Sequence, residues 1–215
     1  MVSDFLKEAP KWLHPIAVMF EHQLEKYGVS ARAAMWRSEE RQQMRFELLA
    51  NIIAPEDLKG GITINDLGCG YGAFFDYFCH DLIMSDSRYY GYDIAEKMID
   101  AAQSKITDPR AYFKQSLVAL IAADYSFASG PFNYRMEVDE TLWLKYVQES
   151  LIDLWSQSKK AMAFNMLNKE HARYQDHLYY ANAEQFENFC KTELSANVTL
   201  INDYDDEEWT IYVRR

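Results

Sequence analysis

An α/β fold with a seven-stranded, mostly parallel sheet, an antiparallel last strand, helices on both faces and an N-terminal helical cap is what this sequence predicts. Three observations carry that expectation. Short apolar runs alternate with helix-like stretches from residue 62 onward, a glycine-rich turn joins the first run to a helix, and the last two runs are separated by only six residues. A chain of 215 residues suits one domain, and 49% hydrophobic with 15% aromatic content provides a core and excludes a disordered composition.

The first helix is expected over Ile16 to Tyr27, where Ile16, Phe20, Leu24 and Tyr27 recur at helical spacing behind Pro15 and before Gly28. A second begins at Ser38, an N-cap followed by Glu39 and Glu40; Met44, Leu48 and Ile52 form its stripe, with Phe46, Leu49 and Ile53 beside it and Pro55 as its stop. Strands are expected at Ile62–Leu67, Tyr89–Tyr92, Ala111–Lys114, Asp124–Ala128, Ala161–Met166, Val198–Asn202 and Trp209–Val213. Helices fall at Ala73–Leu82 and Ile94–Lys105, then along Leu144, Val147, Leu151 and Leu154, and after Asn182, whose Gln185 three residues on completes a capping box. The connection Asp203 to Glu208 is too short for a parallel crossover, so the final pair must be antiparallel, with those acids forming a solvated turn. Residues 1–57 thus form a helical cap segment on a core at 58–215.

With 33 acidic against 22 basic residues the net charge is −11, which repels a nucleic acid backbone at long range and makes nucleic acid an unexpected partner. Cys69, Cys79 and Cys190 are odd in number and lack metal-site spacing, which predicts free thiols. No basic-flanked leader opens the chain and no run of about 18 apolar residues occurs, so a cytoplasmic protein without a membrane partner is expected.

The segment most charged with chemistry is Ile64-Asn65-Asp66-Leu67-Gly68-Cys69-Gly70-Tyr71-Gly72-Ala73, a strand running into a glycine turn and a helix. Gly68, Gly70 and Gly72 let the backbone approach a ligand at the carboxyl end of a strand, where open α/β sheets bind nucleosides. Gly68-x-Gly70-x-x-Ala73 also satisfies a relaxed dinucleotide fingerprint, which keeps an NAD(P)-dependent oxidoreductase as the alternative. Asp66 argues against it, because a carboxylate is repelled by pyrophosphate and attracted by a sulfonium or ammonium group. Asp93 ends the second strand with a carboxylate where a ribose diol would lie, accepting hydrogen bonds from both hydroxyls, a need common to both cofactors.

Asp66-Leu67-Gly68-Cys69-Gly70-Tyr71-Gly72 resembles the first motif of class I S-adenosylmethionine-dependent methyltransferases, and Asp93 through Met98 to Ala102 resembles their second. The resemblance covers roughly residues 60–215 and extends to a group of small bacterial members. It implies a Rossmann-like fold, S-adenosylmethionine as cofactor and S-adenosylhomocysteine as product. By the same resemblance, Asp66, Gly68, Cys69, Gly70 and Gly72 hold the methionine end, Asp93 the ribose, and Ile94 and Met98 the adenine side. Ser116 and Leu117 follow the third strand at the adenine edge, and Ala128 and Ser129 lie where the family shapes the space around the methyl group. Ser129-Gly130-Pro131-Phe132 is similar to the Asp-Pro-Pro-Tyr motif of base amino-methyltransferases but departs at its first two positions.

Arg45 offers a guanidinium for the cofactor's carboxylate, with a solvated or ion-paired surface position as its alternative, and Trp36 stands just before the second helix in the cap, as part of a lid or, alternatively, of the core. Cys69 is expected as a small packed residue rather than a nucleophile. His171, Tyr174 and His177 stand in an aperiodic stretch after the fifth strand and are the candidates for a general base, in a loop suited to cover a substrate. Ser129 and Asn165 stand where a metal-dependent O-methyltransferase would need carboxylates, so no metal is expected. The function expected is methyl transfer to an oxygen or nitrogen of a small-molecule acceptor, with a non-catalytic S-adenosylmethionine-binding partner protein as a further alternative and the oligomeric state open.

Overall fold

The computed structural model describes residues 2–170 and 174–215. Its sheet contains all seven expected strands. β1 (Thr63–Leu67), β2 (Arg88–Asp93), β3 (Ala111–Gln115), β4 (Ala123–Ser129) and β5 (Ser158–Asn168) run parallel in the order β3-β2-β1-β4-β5. A two-residue strand, β6 (Tyr180–Ala181), joins Leu167 and Asn168 of β5, a pairing too short to leave an alternation in the sequence. β7 (Asn197–Ile201) and β8 (Glu208–Arg214) are antiparallel, as the short connection requires, and β8 inserts between β5 and β7. The strand order reverses at β1 and β4, which opens a crevice beyond their carboxyl ends.

Local signals account for most helix ends. The Ser38 hydroxyl accepts from Arg41 N at 3.3 Å and starts α3 (Glu39–Ala50), and the Asn182 side chain accepts from Gln185 N at 2.8 Å to start α7 (Ala183–Glu193). Asp139 accepts from Thr141 N and Leu142 N and starts α6 (Glu140–Ser156).

Five helices differ from expectation. A short α1 (Asp4–Glu8) precedes the rest, capped by Ser3. α2 (Pro10–Tyr27) begins at Pro10, which takes the first helical position, while Pro15 lies inside the helix and forgoes one backbone hydrogen bond. α3 ends at Ala50, ahead of Pro55, which opens a separate 3-10 turn. α4 (Ala73–Phe78) stops four residues early because Arg110 donates to the carbonyls of Cys79 and Met84, drawing the chain inward so that Ile83 and Met84 are buried. α5 (Glu96–Lys105) starts after Asp93 has accepted the N–H of Ala95.

Two cores sandwich the sheet. Trp143, Val147, Leu151 and Leu154 of α6 pack with Phe186 of α7, Trp209 of β8 and the α1–α2 residues Leu6, Leu13 and Ile16 on one side. Phe46 and Leu49 of α3, Phe74 and Phe78 of α4 and Ile99 of α5 fill the other. The first 57 residues are therefore divided over both faces, and α2 passes from α1 to contact α5. Among the described residues no helix is long and apolar enough to cross a membrane.

Candidate active site

The crevice at the strand ends is a cavity of about 270 Å³. Its floor is the glycine turn, clipped to β2 by the N–H groups of Gly68 and Cys69, which donate to the Tyr92 carbonyl at 2.7 and 3.0 Å. Gly70 N then donates to one Asp93 carboxylate oxygen and Ala95 N to the other, both at 2.9 Å. Burial raises the Asp93 carboxyl above the usual carboxylate range, and these N–H donors work in the opposite direction. The result is a carboxylate fixed in place, with further lone pairs on each oxygen.

The three loop glycines have different jobs. A Cβ on Gly70 would meet nothing within 4 Å, at a φ of +53°, so this bare backbone faces open space in the cavity wall. A Cβ on Gly68 would sit 2.5 Å from Pro131 Cβ, so this glycine allows the segment after β4 to close on the turn. Gly72 does not line the cavity; a side chain there would strike Ile106, and its role is packing. Cys69 lines the cavity and is 7% exposed, with burial pushing its thiol further up, a state that opposes nucleophilic use.

Asp66 is 1% exposed. Tyr89 donates its hydroxyl to one carboxylate oxygen, and the other, buried, has no partner. Desolvation pushes its carboxyl up to about 7, with the Tyr89 hydrogen bond lowering it and the nearby Asp93 charge raising it. An unpaired buried carboxyl oxygen at a cavity wall is a place for a cation or a donor.

Ile94, Met98, Ser116 and Leu117 also line the cavity. The Ser116 hydroxyl is already engaged, donating to Val118 O at 2.7 Å and accepting from Val118 N at 3.2 Å, so the contact it offers is its backbone and surface. Ser129 faces the cavity with its hydroxyl oxygen buried and unpartnered, whereas Ala128 is fully buried behind it.

Arg45 and Trp36 both reach the cavity, but in a different relation from the one expected. The Arg45 guanidinium lies 4.0 Å from the Trp36 ring centroid and is ion-paired with Glu208 at the start of β8, with Arg45 7% and Glu208 1% exposed. Its charge is thus met within the protein instead of being held for a ligand carboxylate. The same geometry corrects the solvated-turn expectation for Asp203 to Glu208. Arg37 pairs with Glu207 at 2.6 Å and Arg41 with Asp205 at 2.5 Å, so the acids receive α3 and the loop before it. These partners are more than 160 residues apart in sequence, beyond the reach of any local pattern.

Of the base candidates, His177 lines the cavity, its ring stacked on Tyr134 with centroids 6.0 Å apart. Tyr174 is 60% exposed, donates to the Lys169 carbonyl and lines a separate recess with Tyr180. His171 lies outside the described residues. Tyr134, Tyr146, Asn133, Gln42 and Glu208 line the cavity without having been singled out by function. Gln42 and Arg45 left a signal: both are polar, both are buried, and with Phe46 and Leu49 they form the inner face of α3, whose Met44 and Leu48 are only half-buried.

A family model described as a methyltransferase domain matches residues 64–155. The chain is 37% identical over 157 residues to the methyltransferase-family protein Rv1506c of Mycobacterium tuberculosis, covering 71% of this chain and 93% of that protein. Among solved structures, the magnesium protoporphyrin IX methyltransferase ChlM of Synechocystis PCC 6803 with bound S-adenosylmethionine superposes with a TM-score of 0.64 at 14% identity, covering 99% of this chain and 98% of that one. A methyltransferase from Aquifex aeolicus gives 0.56 at 17% identity over 81% and 92%. Both share the fold. The match to the mycobacterial relative, which spans 93% of that protein and 71% of this chain, together with the sheet order and the two motifs brought together around one cavity, means that the chain belongs to the methyltransferase family, with the class I Rossmann-like architecture.

Proposed function

We propose that this protein is an S-adenosylmethionine-dependent methyltransferase acting on an oxygen or nitrogen atom of a small molecule. The observation that carries the cofactor is the joint placement of a buried, half-unpaired Asp66, a backbone-fixed Asp93 and the bare wall at Gly70 around a single cavity. These residues fit the group: a carboxylate for an ammonium, a carboxylate for a diol, and space for a close backbone approach. A pyrophosphate would instead meet the Asp66 carboxylate, which disfavours the nicotinamide alternative.

S-adenosylmethionine, when bound, supplies a sulfonium-activated methyl group and leaves as S-adenosylhomocysteine. Asp66 opposes the cofactor's positive charge, Asp93 accepts from the ribose hydroxyls, and Ile94, Met98 and Leu117 provide apolar walls for the adenine. Ile16 and Phe20 of α2 and Tyr146 of α6 screen the cavity from water. His177 is the group placed to take a proton from the acceptor, held in orientation by its stack on Tyr134. Residues 1–57 act as the cap of the core at 58–215. A small acceptor is supported by the size of the cavity and by the net charge of −11, which disfavours nucleic acid. The free thiols of Cys69, Cys79 and Cys190 agree with a cytoplasmic location.

Calorimetric titration with S-adenosylmethionine, S-adenosylhomocysteine and NAD, on the protein and on Asp93→Ala and Gly70→Val, tests the proposal. Both adenosyl ligands should bind saturably, NAD should not, and each substitution should abolish binding. NAD binding alone would make the protein an oxidoreductase, and adenosyl binding without transfer to any offered acceptor would make it a partner protein.

A further inference from the structure

We propose that the end of the cavity bounded by α3, the segment Ser129–Asn133 and the start of β8 is the acceptor subsite, and that it receives a neutral, polyhydroxylated ring of the sugar class, read by Glu208 and Arg45. The inference rests on the methyltransferase reading above and names the substrate class of that site.

The first support is a set of unmatched atoms. Arg45 Nε, Glu208 Oε1 and the Ser129 hydroxyl oxygen are all buried, belong to residues that line the cavity, and have no hydrogen-bond partner. Arg45 and Glu208 are joined through their other atoms, Nη2 and Oε2, so each keeps one group without a hydrogen bond, Glu208 Oε1 lying 3.8 Å from Arg41 Nη2. A buried polar atom without a partner lowers stability, and three together at one cavity wall point to a ligand that completes them. They comprise an N–H donor, a carboxylate acceptor and a hydroxyl that serves as either. Two neighbouring hydroxyls satisfy the first two at once: one donates to Glu208 Oε1 and the other accepts from Arg45 Nε.

The second support is charge. Arg37, Arg41 and Arg45 on one side face Asp205, Glu207 and Glu208 on the other, and the ion pairs among them leave no surplus of either sign. A carboxylate or phosphate would find each guanidinium already opposed by a carboxylate, and an amine would compete with Arg45 for Glu208. An uncharged acceptor meets neither obstacle.

The third support is shape. The Trp36, Tyr134 and His177 rings line the same cavity, and Tyr134 is braced by Phe20 edge-on at 5.5 Å and by His177 stacked at 6.0 Å. Flat aromatic surfaces beside planar carboxylate and guanidinium groups suit a ring that is apolar on its face and hydroxylated at its rim. The polar pair is also held ready. Arg45 stacks on Trp36, a Cβ on Gly130 would lie 2.7 Å from Arg45 Nη1, and Asn165 Nδ2 donates to Glu208 Oε2 at 3.4 Å.

Saturation-transfer NMR on the full chain tests this, with methyl α-D-glucopyranoside, methyl α-D-mannopyranoside and methyl α-L-rhamnopyranoside as probes and cyclohexylamine and benzoate as charged comparators. Each probe is run with and without saturating S-adenosylhomocysteine, whose own affinity is measured by calorimetry. The expected result is saturation transfer to at least one glycoside in preference to both comparators, weakened about tenfold by Glu208→Gln and by Arg45→Lys through loss of a hydrogen bond to a charged group. Arg45→Lys keeps a charge opposite Glu208, so it reads the same contact should Glu208→Gln unfold, and thermal melts check both. The inference is overturned if S-adenosylhomocysteine binds while no glycoside does, if a charged comparator is preferred, or if a glycoside binds equally well to a folded variant. Failure of S-adenosylhomocysteine to bind the unaltered protein would instead overturn the methyltransferase reading.

Discussion

Asp66 costs the unliganded protein stability, because its charge is desolvated and only Tyr89 compensates it. Its carboxyl rises from an unfolded value near 3.8 to about 7, so the folded state holds a proton that the unfolded state has released. That contribution to stability is present at low pH and is lost as pH rises through the window from about 4 to 7. A ligand ammonium group, which S-adenosylhomocysteine retains, reverses the preference, since it pairs with the ionised form. Affinity for S-adenosylhomocysteine should therefore rise about tenfold between pH 6 and pH 8, as measured by calorimetry in a buffer series. Asp66→Asn should flatten that profile, weaken binding and raise the melting temperature of the unliganded protein above pH 7; an unchanged profile would remove Asp66 from the ligand contact. At Gly130, with a φ of +74°, an alanine would collide with the Arg45 guanidinium. Gly130→Ala should lower kcat/KM by displacing Arg45 while leaving S-adenosylhomocysteine affinity close to that of the parent, which steady-state kinetics and calorimetry separate.

At the scale of elements, α3 decides the shape of the site. Its start is dictated locally by Ser38, but its position is set by Arg41 and Arg45 reaching the acids ahead of and within β8. The two arginines differ in their energetics. Arg41 is about one-third exposed, so Arg41→Ala should cost no more than about 1 kcal/mol and the loss should shrink in high salt. Arg45→Ala would leave the buried Glu208 carboxylate with only the 3.8 Å contact to Arg41 and the Asn165 hydrogen bond, a change in the range of about 3–5 kcal/mol. Urea denaturation at low and high salt measures both. Far from the cavity, Asn182→Ala should cost about 1 kcal/mol by removing the α7 cap and should not alter ligand binding.

For the whole molecule, the sheet is the shared wall of two cores, and β8 enters it between β5 and β7 after the rest of the chain has passed. Trp209 on β8 is fully buried against Phe164 and Phe186 and donates to the Ala181 carbonyl. Trp209→Ala should destabilise by about 3–5 kcal/mol in urea while the folded fraction still binds the adenosyl ligand. A selective loss of ligand affinity without loss of stability would show that the last hairpin serves the site alone.

The sequence by itself determined the alternation of strands and helices, the reversed final strand, the caps at Ser38 and Asn182 and the glycine turn with Asp66 and Asp93, because each is set by neighbours within a few residues or by the length of a connection. Pro10 and Pro15 show the limit of such signals: both are locally acceptable early in a helix, and the earlier start goes with Trp12 packing edge-on against Trp143 and Tyr146 of α6 and Leu13 entering the core. Tertiary structure alone decided that Gly70 faces open space while Gly72 is filled by Ile106, that Tyr174 turns away while His177 faces the cavity, and that Arg45 meets Glu208. Those outcomes depend on close approach between residues distant along the chain, and burial then multiplies their energetic weight by withdrawing the water that would otherwise satisfy each polar group.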